Sequence, residues 1–105
     1  MGPGLLESVY QRCLCRELEL REIPYSAELP LDAEYKGVTF ESAYRLDFLV
    51  GNEIVVELKV VEAILSVHEA QILSYLRLSG KSLGLLINFH VPVLKQGIRR
   101  IVNNL

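Results

Sequence analysis

Tryptophan is absent from this chain, and only two of its 105 residues are cysteines. Cys13 and Cys15 stand two apart in a stretch of helical periodicity, so they project about 200° apart and neither bridge nor share a metal ion. A disulfide framework and a zinc site built on Cys-x-x-Cys are thereby excluded. Cys13 is expected on the core side of that helix and Cys15 near the surface, which also disfavours a thiol-redox role. No apolar run approaches the ~20 residues that cross a bilayer. Met1-Gly2-Pro3-Gly4 carries no basic leader and no cleavage pattern. A cytoplasmic chain without membrane attachment is the expectation.

Large excess charge is missing as well. The 11 Lys and Arg stand against 13 Asp and Glu, a net charge of −2, which argues against a basic protein that coats nucleic acid in bulk. The balance hides an asymmetry: residues 1–53 carry 5 basic and 10 acidic side chains, residues 54–105 carry 6 and 3. What is abundant is apolar surface. Half the residues are hydrophobic, too many for a disordered chain. With no repeat, linker or low-complexity tract, residues 1–105 read as one domain, burying about 65% of its unfolded surface.

Periodicity orders the elements. Leu6, Val9, Tyr10, Cys13, Leu14 and Leu18 recur at offsets of three and four, which predicts a helix from about Gly4 to Glu22 that Ile23-Pro24 ends. Glu7 lies on the flank of its apolar stripe. Extended chain follows: Glu28–Leu31 and Ala33–Tyr35, a turn at Lys36-Gly37, then Val38–Phe40 and Tyr44–Val50, with Gly51-Asn52 leading into Ile54–Val60. Ser66-Val67-His68-Glu69 matches a capping box opening a helix to Ser79, with Gly80 as its stop. Leu83–Phe89 reads as a strand apolar on both faces, parallel to the third. Pro92 is expected to open a last helix with Leu94, Ile98 and Ile101 inward, Lys95, Arg99 and Arg100 outward on a solvated face, and Gly97 inside for close packing.

Three charges break the apolar strands: Asp47, Glu57 and Lys59. Strand alternation puts Glu57 and Lys59 on one face, with Leu58 between them on the other. Burying such charges costs several kcal/mol unless they pair or bind a metal. An exposed Glu57–Lys59 pair would explain two of them, but Asp47 on the neighbouring strand changes the weighting. Two carboxylates and the Leu58 carbonyl suit a hard cation such as Mg²⁺, with Glu7 as an outer carboxylate acting through water. Lys59 would then sit beside a water or a phosphate. Gln71 and Tyr75, four apart on one helix face, can hold water or phosphate there. Arg45 and His68 are further candidates for substrate contact.

Register decides whether such a site can exist. A two-residue loop at Gly51-Asn52 would set Asp47 opposite Val56 and turn it away from Glu57. A joint site requires a three-residue loop with Val50 opposite Ile54, or a bulge near Asp47.

Asp47…Glu57-x-Lys59 behind a helix carrying Glu7, followed by Gln71-x-x-x-Tyr75, resembles the PD-(D/E)XK nuclease superfamily. Gly4-Leu5-Leu6-Glu7-Ser8-Val9-Tyr10, Tyr44–Asp47, Val56–Lys59, His68–Gln71 and Leu85–Phe89 resemble more narrowly its small GxxExxY branch, over nearly the whole chain. One departure is Leu46, where the wider motif has proline before the aspartate. The resemblance implies an α/β (α+β) restriction-endonuclease-like αβββαβ core, here with a four-stranded mixed sheet flanked by helices and an extra C-terminal helix. It also implies a Mg²⁺ or Mn²⁺ site and hydrolysis of DNA or RNA phosphodiesters by a metal-activated water. Asp47, Glu57 and Lys59 take the core catalytic roles, with Glu7 and Gln71 beside them. The metal ligands would be Asp47, Glu57, the Leu58 carbonyl and Glu7; Tyr75, Arg45 and His68 would meet substrate. No base-reading motif is present, so this chain alone would act without sequence specificity, unless a homodimer or partner protein supplied it. The competing reading is a non-catalytic module of the same fold that binds nucleic acid or protein.

Overall fold

A computed structural model describes the backbone of residues 3–104 and the side chains of residues 6–104; Met1, Gly2 and Leu105, and the side chains of Pro3 and Leu5, lie outside it. Helix α1 (Pro3–Leu20) leads into β1 (Tyr25–Tyr35), β2 (Val38–Val50) and β3 (Ile54–Lys59); α2 (Ser66–Ser79) then crosses to β4 (Leu83–Asn88), and a 3₁₀ turn at Leu94–Gly97 precedes β5 (Ile98–Val102). The strands form one mixed sheet in chain order, β1 to β5, with β3–β4 parallel and the other pairs antiparallel. No helix among the described residues is long and apolar enough to cross a membrane.

The sheet separates two apolar layers. On one face Leu18 of α1 packs with Phe48, Val56 and Leu58. On the other, Ile72, Tyr75 and Leu76 of α2 pack with Leu46, Leu49, Val55 and Leu86. Each such fully buried side chain contributes about 1.5–3 kcal/mol.

Lys36 (φ 50°) and Gly37 (φ 80°) close a two-residue hairpin in which both residues take the left-handed conformation that matches strand twist. At the next turn Val50 lies opposite Ile54 and Phe48 opposite Val56, so the loop holds three residues and the register is the shifted one.

Several expectations are corrected. The C-terminal segment is not a helix but the 3₁₀ turn and a fifth strand, so the sheet has five strands rather than four. Leu94, Ile98 and Ile101 fit a helical period, but β-branched Ile98, Ile101 and Val102 favour extended chain, and β4 offered an edge that needed pairing. Gly97 does mark close packing, though in the turn: a Cβ there would collide with the Asn88 carbonyl. Ser66 is the first helical residue rather than the cap. The cap position is Leu65, whose N–H donates to Nδ1 of His68 at 2.9 Å. Gly80 ends the helix in the left-handed conformation, as expected. The cysteines are exchanged, Cys13 exposed and Cys15 half-buried against the α1-side core, because the stripe that meets the sheet runs through Leu14 and Leu18.

Candidate active site

The site forms where the β2–β3 ladder ends. Backbone pairing stops at Phe48–Val56, and beyond it the strands are joined through side chains. The Asp47 N–H donates to Glu57 Oε1 at 3.0 Å, and the Leu58 N–H donates to Asp47 Oδ2 at 2.8 Å. Each carboxylate thus holds the other strand's backbone. In a strand the N–H and C=O of one residue point to the same edge, so the Leu58 carbonyl also faces the β2 side, beside Asp47.

Two irregularities free Asp47 for this role. Leu46 and Leu49 both pack in the α2-side core while Phe48 packs on the α1 side, so strict alternation breaks at Asp47. On the outer strand, pairing passes from Ala27–Phe48 to Leu29–Leu46 and skips Glu28, which takes φ 52° opposite Asp47. A left-handed glutamate costs about 1–2 kcal/mol.

Glu57 is only 4% exposed. Burial, then the charge of Asp47, pushes its pKa up to about 8, against the opposing pull of the Asp47 N–H and of Lys59. Lys59, half-buried, donates through Nζ to Gln71 Oε1 at 3.2 Å, and Gln71 Nε2 donates to the Tyr75 hydroxyl at 3.0 Å. The Tyr75 pKa is raised, first by burial and then by Glu57 and Asp47. Tyr44 lies against Tyr75, ring centroids 5.8 Å apart. Asp47, Glu57, Lys59, Gln71 and Tyr75 therefore converge on the α2 face of the sheet.

Three other candidates do not join them through any hydrogen bond or ion pair among the described residues. Glu7 is half-buried on α1, which packs on the opposite face. Arg45 is exposed; the broken alternation sets it between Tyr44 and Leu46, which face α2. His68 spends Nδ1 on the helix cap.

One residue escaped sequence reasoning. Asn88, 2% exposed, lies opposite Lys59 in the parallel ladder. Its Oδ1 accepts from the Val61 and His90 N–H groups, and its Nδ2 donates to the Val61 carbonyl at 2.8 Å. It clamps the exits of β3 and β4, and so the backbone just after Lys59. A single amide ending an apolar strand was the signal that could have found it.

The donor set fits a hard divalent cation. Two carboxylates crossed at one point, one almost fully buried, form a like-charge pair that a cation would relieve, and the Leu58 carbonyl adds a third oxygen. Among the described residues no group of three His, Cys, Asp or Glu side chains gathers, so a cation here would keep several waters. Gln71 lies exposed at the rim of the site. A cleft of about 390 Å³ against Asn52–Ile54 and Gly80–Leu83 lies at the far end of β3.

Comparison with known proteins agrees with this geometry. The model of the PD-(D/E)XK nuclease superfamily matches residues 1–101. The crystal structure of SSO0001 covers all of this chain with a TM-score of 0.76 and 20% sequence identity, while the chain spans 54% of that protein. At that identity the likeness shows the fold alone, an α+β sheet flanked by helices. No curated protein sequence matches.

Proposed function

The chain belongs to the PD-(D/E)XK nuclease superfamily, and from that premise we propose that it is a Mg²⁺- or Mn²⁺-dependent nuclease of the GxxExxY branch, hydrolysing phosphodiester bonds of DNA or RNA. The observation that carries this reading is the crossed pair Asp47–Glu57, with Lys59 held beside it by Gln71.

Asp47, Glu57 and the Leu58 carbonyl would hold the cation, with Glu7 reaching the site only through water. When bound, such an ion supplies a nucleophilic water near neutral pH and offsets charge on the phosphate. Glu57 must lose its proton to serve as a ligand, and Asp47 holds its geometry through the backbone bonds. The Lys59 ammonium is no ligand. It orients the attacking water and balances charge that develops on phosphate oxygens as water adds to phosphorus and an ester oxygen departs. Gln71 fixes the reach of Lys59 and ties it to Tyr75. No base-reading element adjoins the site, so specificity would come from nucleic-acid shape, a second copy or a partner protein.

The test is cleavage of labelled oligonucleotides with and without Mg²⁺, for the wild type and Asp47→Asn. The reading expects metal-dependent hydrolysis that falls by about 10²-fold or more in the variant. Equal background cleavage by both, with strand binding retained, would leave the non-catalytic module.

A further inference from the structure

The β1–β2 hairpin extends past α2 as an arm whose two faces differ. Leu31, which packs in the α2-side core, pairs with Tyr44; Ala33 pairs with Phe40, and Tyr35 with Val38. The register shifts between these pairs, three residues of β2 (Glu41–Ala43, Ser42 at φ 52°) standing against Asp32 alone, so the irregularity falls on β2 while Leu31, Ala33 and Tyr35 alternate along β1. Paired residues share a face, so Tyr44, Phe40, Tyr35 and Val38 line the α2 face of the arm. They are 44%, 51%, 64% and 55% exposed. The strip begins at the Tyr44–Tyr75 contact, one hydrogen bond from Gln71 and two from Lys59. It ends at the hairpin turn, where Lys36 Nζ lies 5.3 Å from the Tyr35 ring centroid. By alternation Asp32 and Glu34 take the other face, and Asp32 Oδ1 accepts the Ser42 N–H there at 2.8 Å.

We propose that this aromatic strip is a stacking platform for single-stranded nucleic acid, leading a strand along Tyr35, Phe40 and Tyr44 into the Asp47–Glu57 site. The inference rests on the nuclease reading and narrows its substrate to single strands, in which base faces are free to stack. Size decides against a second copy of the chain as occupant. With aromatic side chains of roughly 150–250 Å² each, the strip exposes about 400 Å². Two copies would bury about 800 Å², below the ~1,200 Å² of a stable interface. Stacking on successive rings needs no such area, because each base is held separately. The arm's carboxylates leave Lys36 as its main cation, so binding should depend little on salt, with log Kd rising by about 1 per tenfold increase in salt for one or two phosphates.

The test uses the 105-residue chain in EDTA, with fluorescent oligo-dT and oligo-U of about twelve nucleotides and a blunt DNA duplex as probes. Tyr35→Ser/Phe40→Ser should weaken single-strand binding by about 10²-fold, tenfold for each lost stacking partner, and leave duplex binding unchanged. Whichever of dT and U binds more tightly distinguishes DNA from RNA. Because the chain lacks tryptophan, Phe40→Trp installs a single reporter whose fluorescence should be quenched on strand binding while affinity is kept. Unchanged affinity in the double variant, or no quenching, overturns the proposal. So does a wild type that sediments as a dimer and a variant that sediments as a monomer with equal strand binding. The two readings fail separately: aromatic-dependent binding without metal-dependent cleavage removes the nuclease but keeps the platform, and cleavage indifferent to Tyr35 and Phe40 does the reverse.

Discussion

Asp47 and Glu57 exchange hydrogen bonds crosswise at the open end of the β2–β3 ladder, the Asp47 N–H going to Glu57 and the Asp47 carboxylate taking the Leu58 N–H. The pair is a structural device as much as a chemical one. It replaces the missing ladder bonds with carboxyl acceptors, and it keeps Glu57 in a place where ionisation is costly.

Without metal, that cost makes stability fall as pH rises. Glu57 titrates near 8 when folded against an ordinary 4.5. Between those values the folded protein keeps a proton that the unfolded chain has lost. Stability is therefore full below about pH 4.5 and declines through pH 8, by at most about 1.4 kcal/mol per pH unit. Thermal melts in EDTA from pH 5 to 9 should show this slope for the wild type, and Glu57→Gln should flatten it and melt higher at pH 8. A wild-type melting temperature that rises across this range would contradict the shift.

Lys59→Ala should leave cation affinity within a few-fold of wild type yet remove about 10²–10³-fold of the hydrolysis, since ammonium does not ligate metal. Glu57→Ala should lose both. Parallel titration and cleavage assays separate the two roles; equal loss of affinity in both variants would merge them.

Gln71 acts through Lys59. Gln71→Ala should lower activity by about tenfold with about 1 kcal/mol lost in stability, because its bond to Lys59 is exposed and its bond to Tyr75 part-buried. In a double-mutant cycle the loss should vanish on the Lys59→Ala background. Additive losses would mean that Gln71 acts independently.

Asn88→Ala should destabilise the fold by about 2–3 kcal/mol in urea titrations, because it removes three part-buried bonds, to the Val61 N–H and carbonyl and to the His90 N–H, and empties a buried position. A loss under 0.5 kcal/mol would show that other groups take over the clamp.

Much of this site was legible in the sequence because charge inside an apolar strand is costly. Asp47, Glu57 and Lys59 stood out for that reason, and the register followed from asking that the two carboxylates meet. The left-handed Glu28 was not legible, since nothing in a glutamate foretells positive φ; only its position opposite Asp47 explains it. Strict alternation would set Arg45 on the same face as Asp47; the irregularity sends it to the other, between Tyr44 and Leu46. The fifth strand was hidden because Leu94, Ile98 and Ile101 satisfy a helical spacing, and the open edge of β4 that decides the matter is a tertiary fact. The bond from the Leu65 N–H to His68 Nδ1 was not legible either, because it depends on where α2 begins.

The central claim is that Asp47 and Glu57 form one cation site, and calorimetric titration with Mn²⁺ at pH 7 tests it most directly. The wild type should bind one ion and, because Glu57 is protonated before binding, release close to one proton, seen as a heat that varies with the buffer's ionisation enthalpy. Asp47→Asn should bind at least tenfold more weakly, and Glu57→Gln should bind weakly and release no proton. Equal Mn²⁺ affinity in the wild type and Asp47→Asn, or no binding to the wild type, would contradict the account.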